Sequence, residues 1–468
     1  MTDTNKNFLG TAPVKDLMIK FSVPSIIAMM VGALYNIVDQ FFIGQKVGFL
    51  GNAATNVAFP CSTSCIALAL LFGIGGASCF NLHMGKGETE KAPFFIGNSA
   101  FMLAMSGLVL AVITETFLPK LLVIFGAPED VMPYALEYVG ITALGFPFLV
   151  FTTGGCHLVR ADGSPRMSML CNLTGALINT VLDAVFVMGF EWGMKGAAIA
   201  TVIGQIVSSC LVIIYLTRFK TVKLDISAFM PRMNVIGMIA SIGMASFFNQ
   251  IAMMIVQIVL NNSLTRYGAL SSYGPSVPLA CAGIIMKVNM IVFSVVIGLG
   301  QGTQPIESFN YGAKNYARVR QAYRMALTVG TTFAVLAFIM FQTFPRQIIN
   351  LFGEGSPEYF EFGIKFMRTF LFFTWLNSMQ PITSTFFTSI GKPIKGVFLS
   401  LTRQIIFFLP LLLILPVFFG IDGVIWTGPA ADFLSGIVTI VMAILEFKDM
   451  KKLEDAENAS TLLTEEPA

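Results

Sequence analysis

The residues with the clearest chemical potential lie in an apolar stretch from Phe21 to Gly44. Tyr35, Asn36 and Asp39 follow Gly32 by three, four and seven residues, which places all four on one face of an α-helix. A run of more than about 20 apolar residues is long enough to cross a bilayer, and an aspartate inside it costs roughly 2.5 to 3.5 kcal/mol on insertion scales. Such an acid is typically functional, so we expect Asp39 to bind a cation or to carry a proton.

A second polar stripe occurs in the fifth apolar stretch, and the sixth adds two polar residues. These residues are Asn172, Gly175, Asn179 and Asp183 in the fifth, and Thr201 and Gln205 in the sixth. Counted from the predicted span ends at 1.5 Å per residue, Asp39, Asp183 and Thr201 all lie roughly 8–11 Å below the same membrane boundary. We therefore expect them to share one pocket.

Two carboxyl groups in one partly dry pocket have a predictable acid–base character. Burial and mutual repulsion both favour the neutral form, so we expect at least one of Asp39 and Asp183 to hold a proton near neutral pH. The pair either takes a proton or presents negative charge to a cation, and competition between the two is the physical basis for exchange. The alternative is that both acids only hydrogen-bond their polar neighbours and tie helices together.

The composition predicts a membrane protein that surrounds these residues with helices. The chain has 468 residues, of which 55% are hydrophobic and 12% charged, and a mean hydropathy of +0.76; about 25% charged residues would be usual in a soluble protein. We predict an all-α polytopic fold with about twelve transmembrane helices embedded in a lipid bilayer. The predicted spans are 20–44, 54–80, 93–117, 132–156, 167–190, 196–218, 235–262, 275–306, 318–344, 358–389, 394–419 and 423–446.

The chain also contains an internal repeat, which predicts two pseudo-symmetric six-helix lobes in the same orientation. Four pairs of segments match at an offset of about 227 residues, and they are 83–92 with 310–322, 122–131 with 349–359, 163–169 with 391–397 and 193–201 with 420–428. We divide the chain into residues 1–220 (first lobe), 221–234 (cytoplasmic linker), 235–448 (second lobe) and 449–468 (disordered cytoplasmic tail). Lys and Arg are concentrated in the predicted inner loops and both tails, so we expect both termini in the cytoplasm.

The second lobe does not copy the acidic pocket, because apolar residues occupy the positions equivalent to the two aspartates. We therefore expect ion coupling in the first lobe alone. In the second lobe Lys287 and Arg403 either face the central cavity, where they repel cations or bind an anionic group, or pair with Asp432 or Glu307 or snorkel to the interface. Asp432, Lys287, Arg403 and Gln205 are the candidates for substrate binding.

Several of these motifs resemble the multidrug and toxic compound extrusion (MATE) transporters, over nearly the whole chain. Pro24 followed by LYNIVDQFFIG looks like the bending first helix of that family, and NTVLD looks like its Asn-x-x-x-Asp pair, here Asn179 and Asp183. The sixth-helix threonine falls on Thr201. The loop QPIESFNYGAKNYARVRQA resembles the bacterial MepA-like subgroup most.

The resemblance implies export of bulky, often cationic amphiphiles through a cleft between the lobes, driven by inward proton or sodium flow. Pro24 would then be a hinge, and Tyr35, Asn36, Asp39, Asn179, Asp183 and Thr201 would form the ion-coupling set. Members with a second-lobe sodium site carry acids that 246–254 and 372–380 lack. Oxygens of Asp39, Asp183, Asn179 and Thr201 still leave Na⁺ open as the coupling ion, although H⁺ is favoured.

The resemblance further implies a functional monomer in the bacterial plasma (inner) membrane, and we expect no cofactor, no resident metal and no nucleic-acid partner. A flippase or exporter of an anionic lipid-linked precursor or of a specialised metabolite is the alternative, for which Lys287 and Arg403 would be the contacts. An intramembrane enzyme is not expected, since His83 and His157 are the two histidines, both at predicted inner loops, and no H-E-x-x-H motif occurs.

Overall fold

The computed structural model describes residues 8–125, 127, 129–274, 276–351 and 357–464, which contain helices and no β-strand. The first half comprises α1 (Phe8–Thr11), α2 (Val14–Lys46), α3 (Phe49–Gly85), α4 (Ala92–Ile124), α5 (Met132–Leu144), α6 (Phe146–Ala161), α7 (Pro165–Asp183) and α8 (Gly193–Leu216). The second half comprises α9 (Met233–Ala269), α10 (Ser276–Gly312), α11 (Tyr316–Thr343), α12 (Pro345–Asn350), α13 (Pro357–Phe370), α14 (Thr374–Asn377), α15 (Met379–Ser389), α16 (Pro393–Leu401) and α17 (Leu409–Thr464). Short π-helical segments, Ala184–Gly189 and Thr402–Phe408, follow α7 and α16.

The helices account for twelve membrane crossings, several of which are bent or broken. In the described part of the chain nine helices are long and apolar enough to span a membrane, and α5 with α6, bent by 55°, makes ten. The apolar stretch Pro393–Ala456 divides at Gly420, whose φ of 59° is a conformation open to glycine. The short helices α13 to α15 together supply the remaining crossing. This architecture agrees with the predicted all-α fold of about twelve spans.

The two halves share a hydrophobic core on one side of the bundle only. We call the side where α2 begins and α3 ends the terminal side, and the opposite side the distal side. The terminal-side core joins the halves, since it includes Phe80 of α3 and Phe309 of α10. On the distal side the second half has its own core, which includes Leu260 and Phe366. The halves are therefore packed together on the terminal side and separate towards the distal side.

Glycines let helices of the two halves approach backbone to backbone on the terminal side. A Cβ atom added to Gly243 of α9 would lie 1.8 Å from the carbonyl oxygen of Leu71 in α3, and one added to Gly302 of α10 would lie 2.5 Å from the Cα of Ser22 in α2. Among the described residues, all such approaches between the halves occur on this side. They close the terminal side of the space between the halves.

The linker between the halves is held against the first half by buried side chains. The Asp162 carboxylate accepts a hydrogen bond from the backbone N–H of Thr221 at 2.8 Å, and the Asn98 amide donates to the carbonyl oxygen of Ala228 at 3.0 Å. Both anchoring side chains are buried. Residues 221–234 therefore connect the halves without being a free tether.

The end of the chain differs from the expectation of a disordered tail from residue 449. The last helix, α17, continues through Thr464, and residues 465–468 lie outside the described part. The segment is rich in Lys, Leu, Glu and Ala, which favour helix, and Glu454 pairs with Arg320 of α11 at 2.5 Å. The prediction of a disordered tail was therefore wrong for residues 449–464, which continue the last helix and include one side of a specific ion pair.

Candidate functional site

The structure brings the two first-half aspartates together. Asp39 in α2 and Asp183 at the end of α7 lie within hydrogen-bonding distance of each other, and their exposed fractions are 7% and 1%. The helices that carry them pack side by side along the first half. The proximity expected from the depth of the two residues is therefore present.

The surroundings of this acid pair offer few donors to a fully ionised form. Both carboxyl oxygens of Asp183 and one of Asp39 are buried without an N–H or O–H donor in the described part of the chain. Two buried carboxylates at this separation would repel each other in a low-dielectric environment. A single proton shared between them supplies the missing hydrogen bond. The arrangement is thus suited to hold one proton, or one cation in its place.

Asn179 and Thr201 extend the site across the contact between α7 and α8. The Asn179 amide donates to the Thr201 hydroxyl at 3.1 Å, while the amide oxygen of Asn179 is buried and receives no hydrogen bond from a described residue. That oxygen, the hydroxyl and the two carboxyls form an oxygen-rich donor set, which hard cations such as Na⁺ accept. No cluster of three or more His, Cys, Asp or Glu side chains suited to a metal occurs in the described residues.

Two glycines set the spacing of α7 and α8, and thereby the position of Asn179. A Cβ atom on Gly175 would lie 2.1 Å from the Ser208 hydroxyl oxygen and 3.0 Å from the carbonyl oxygen of Gly204. These positions lie one turn from Asn179 and Thr201, respectively. Close packing at the glycines is what allows the hydrogen bond between the amide and the hydroxyl.

We expect Gly175→Ala to disrupt the site although no polar group is removed. The added methyl group displaces the Ser208 hydroxyl and crowds the Gly204 carbonyl oxygen at 3.0 Å. This strains the contact between α7 and α8 beside Asn179 and costs about 1–3 kcal/mol. The melting temperature of the purified protein should fall accordingly. Gly189→Ala is the control, because its Cβ would meet no atom closer than 3.8 Å. Equal melting temperatures of the two variants would contradict this account of the spacing.

Two tyrosines complete the polar wall of the pocket. Tyr35 of α2 and Tyr138 of α5 place their phenol groups beside the Thr201 hydroxyl and near both aspartates. Tyr138 was not among the predicted site residues. The sequence does contain a signal, because Tyr134, Tyr138 and Thr142 recur every four residues in an apolar stretch.

An aromatic cluster follows Asp183 in the chain, at the distal end of the first half. The π-helical segment that begins directly after Asp183 carries Phe186, whose ring stacks on Trp192 at 5.0 Å between centroids. Phe190 contacts the same indole at 5.4 Å. Lys46 at the end of α2 pairs with Glu191 at 2.6 Å and ties that end to the cluster. Local π-helical turns of this kind are frequent at functional sites.

Three other predicted site residues lie at or beyond the edge of the pocket. Asn36 is exposed, and its amide donates to the carbonyl oxygen of Gly32 at 2.8 Å. Gln205 lies against Gly145 at the α5–α6 bend, and its side-chain oxygen is buried without a donor. Pro24 is buried within α2, which continues through it as a single helix.

In the second half the charged candidates divide into a pair and a free cation. Arg403 donates to Asp432 at 2.6 Å, and both side chains are largely buried. Lys287 is half-buried and makes no ion pair with a described carboxylate. Glu307 is buried near Ser389 and lies twenty residues along α10 from Lys287, roughly 30 Å away. The structure therefore brings Arg403 and Asp432 together and leaves Lys287 apart from both acids.

Comparison with known proteins gives matches along nearly the whole chain. The family model MatE matches residues 24–185 and 245–414, one segment in each half. Multidrug export protein MepA of Staphylococcus aureus (strain MSSA476) is 25% identical over 451 residues, covering 95% of this chain and 97% of that protein. MepA of Staphylococcus saprophyticus is 25% identical over 467 residues, covering 98% of this chain and 99% of that protein.

Solved structures share the same fold. One is described as the outward-facing conformation of a multidrug resistance MATE family transporter of the MOP superfamily; its TM-score is 0.88 at 24% identity, covering 97% of this chain and 100% of that one. A second, a MATE protein in the bent conformation, has a TM-score of 0.87 at 23% identity, with 97% and 99% coverage. The arrangement of twelve spans in two halves is therefore shared with proteins of known structure.

Proposed function

Because the chain belongs to the MatE family of multi-pass membrane transporters, we propose that it is a secondary active antiporter that exports bulky cationic amphiphiles in exchange for protons. The buried acid pair of Asp39 and Asp183, which lacks donors and is suited to one shared proton, carries this proposal. The staphylococcal relatives are named multidrug exporters, which supports the same class of substrate here. Transport is by alternating access between the two halves.

The proposed orientation puts the terminal side and both chain ends on the cytoplasmic face of a bacterial plasma membrane. Basic residues favour that face, and the terminal-side loops carry many of them, including Lys86, Lys91, Arg318 and Lys392. Since the halves are packed together on the terminal side, the described conformation is the outward-facing one. The acid pair then lies on the side from which protons enter.

In the proposed cycle, proton and substrate compete for the first-half pocket. The fully deprotonated pair attracts a cationic group, and one proton arriving from outside halves the negative charge of the pair and weakens that attraction. The phenols of Tyr35 and Tyr138 and the Asn179 amide follow the charge change, because they lie around the same oxygens. Pro24 leaves the Lys20 carbonyl without its helical donor and serves as the hinge of α2.

Sodium is the alternative coupling ion at the same place. The carboxyls, the free amide oxygen of Asn179 and the Thr201 hydroxyl would be its ligands. The proton is preferred because a shared proton satisfies the acid pair without further ligands. No organic cofactor is required, and a single chain holds the whole site, so the proposed working unit is a monomer in the bilayer without nucleic-acid partners.

Export of an anionic lipid-linked precursor is the second candidate, and the charges of the second half argue against it. Such a substrate needs a positive cavity, whereas Arg403 is neutralised by Asp432. Of the two predicted cations only Lys287 pairs with no described carboxylate, and one cation is a weak basis for binding a multiply charged head group. The acidic first-half pocket also opposes an anion.

Uptake into everted membrane vesicles tests the proposal. Vesicles from a host without its own multidrug exporters would carry either a pH gradient, acid inside, or a sodium gradient, and would receive tetramethylrhodamine methyl ester, a lipophilic cation. One-to-one exchange predicts that the dye accumulates about tenfold inside the vesicles per unit of ΔpH. Vesicles from cells with the empty vector should show no such accumulation. Uptake driven by sodium alone would instead identify a sodium antiporter, and no uptake under either gradient would overturn export of lipophilic cations.

A further inference from the structure

Lys287 lies on the face of α10 that looks towards the first half. On the terminal side Gly298 and Gly302 of α10 pack against α2, and Lys287 precedes Gly298 by eleven residues, close to three full helical turns. Ala280 and Gly283, which share this face, are exposed, and a Cβ atom on Gly283 would meet no atom within 4 Å. The same face that seals the terminal side therefore opens into the space between the halves on the distal side.

The neighbouring helix α9 presents amide side chains to the same space. Gly243 packs against the first half on the terminal side, and Gln250, Gln257 and Asn261 follow at seven, fourteen and eighteen residues, which keeps them on that face. The Gln257 amide donates to the Asn261 side-chain oxygen at 3.0 Å. Three amides on one face of an otherwise apolar span indicate contact with water or with a ligand.

Gln257, Asn261 and Lys287 lie at similar depth and form what we call the second-half polar patch. Gln257 precedes the end of α9 at Ala269 by twelve residues, and Lys287 follows the start of α10 at Ser276 by eleven. The two helices are antiparallel neighbours, so both residues lie roughly 17 Å from the distal helix ends. That depth is more than a lysine side chain spans, so Lys287 does not reach the distal end of its helix by snorkelling.

The charge of this patch is not neutralised within the described protein. Lys287 has no carboxylate partner there, whereas Arg403, the other cation predicted for the second half, is held by Asp432. A half-buried ammonium group, with donor amides at similar depth on the neighbouring helix, is complementary to a carboxylate. The facing half offers the opposite charge, at Asp39 and Asp183.

We propose that the second-half polar patch binds the carboxylate of the substrate, so that the preferred substrates are zwitterionic amphiphiles with a cationic nitrogen group and a carboxylate. This inference rests on the proposed export function and narrows its cationic substrates to those that also carry a carboxylate. The ammonium of Lys287 holds the carboxylate, the amides of Gln257 and Asn261 orient it, and the cationic group is left to the acidic first half. A substrate that contacts both halves would also bind with an affinity that depends on the relative position of the halves.

Two dyes that differ by one ester group test this inference in the purified protein in nanodiscs. Tetramethylrhodamine has a free carboxylate, and its methyl ester is a cation of nearly the same shape. Fluorescence polarisation would measure the affinity of each dye for the wild type, Lys287→Met and Lys287→Arg. Lys195→Met is the matched control, because it removes one exposed positive charge from the distal end of the first half.

We expect Lys287→Met to weaken binding of the free acid about tenfold and to change the affinity for the ester by no more than about twofold. Lys287→Arg should retain most of the wild-type affinity for the free acid. Lys195→Met should change neither affinity. Equal effects on both dyes, or none on the acid, would overturn the inference even if the wild type exports the ester. If the wild type neither binds nor exports either dye, both the inference and the proposed export function fail.

Discussion

Asp183→Asn is expected to abolish uptake driven by ΔpH and to make cation binding independent of pH. An asparagine is nearly the same size, donates a hydrogen bond to Asp39 and cannot titrate, so it imitates the protonated pair permanently. In the wild type, one proton displaced per bound cation predicts an affinity that rises about tenfold per pH unit while the pair still holds its shared proton. The variant should show a flat profile at the weak, low-pH affinity of the wild type. Asp39→Asn should behave in the same way.

Fluorescence polarisation of the methyl ester dye across the pH range measures this profile directly. Asp225→Asn is the control, because Asp225 is exposed in the linker and its loss should change neither transport nor the slope. A structural role of the pair would lower stability and leave the pH slope of the remaining folded protein intact. Retained ΔpH-driven uptake in Asp183→Asn would show that the acids only tie α2 to α7.

The family could be predicted from local motifs, and the membrane spans could be predicted from hydropathy. The match of MatE to residues 24–185 and 245–414 confirms the resemblance recognised from the first-span, fifth-span and loop motifs. The predicted spans agree with the helices to within a few residues at most ends. The division at Gly420 agrees with the boundary between the predicted spans 394–419 and 423–446. The interruptions between α13 and α15 lie inside the predicted span 358–389 and were not predicted, because they depend on tertiary packing that an apolar run does not encode.

The meeting of Asp39, Asp183 and Thr201 was predictable from depth alone, since all three are fixed by residue counts from span ends. The hydrogen bond from Asn179 to Thr201 agrees with that expectation, whereas the roles of these residues in coupling stay predictions. Asn36 lies on the same polar face of α2 yet is exposed, because this face is wider than the area that a single neighbouring helix covers.

Contacts between distant helices were the part that the sequence left open. Arg403 and Asp432 lie 29 residues apart on different spans, and hydropathy gives no relative rotation of the two helices. The amides of α9 were missed for the same reason, because only the packing of Gly243 shows which face of α9 looks towards the first half. Polar residues on long spans thus need a packed neighbour before their function can be inferred.

Gly243→Leu is expected to trap the protein with its terminal side open. The Cβ atom would lie 1.8 Å from the Leu71 carbonyl oxygen, which belongs to backbone and cannot rotate away. Overpacking of about 1–3 kcal/mol in the sealed state shifts the ratio of the two states about 5- to 150-fold. Export should therefore fall sharply. The pH dependence of cation binding should persist, because the acid pair lies in the first half and away from this contact.

Distances between nitroxide labels on the two halves would report the opening. Cysteines introduced at the exposed terminal-side positions Glu90 and Ile394, in a background without the native cysteines, suit electron–electron double resonance. We expect Gly243→Leu to shift most of the distribution to longer distances. Gly237→Ala should leave it unchanged, because Gly237 lies on the same helix with no atom within 4 Å of its added Cβ. If export is lost while the distance distribution stays unchanged, the α3–α9 contact does not control closure of the terminal side. If the distances lengthen as export falls, the packing at Gly243 sets the balance between the two states.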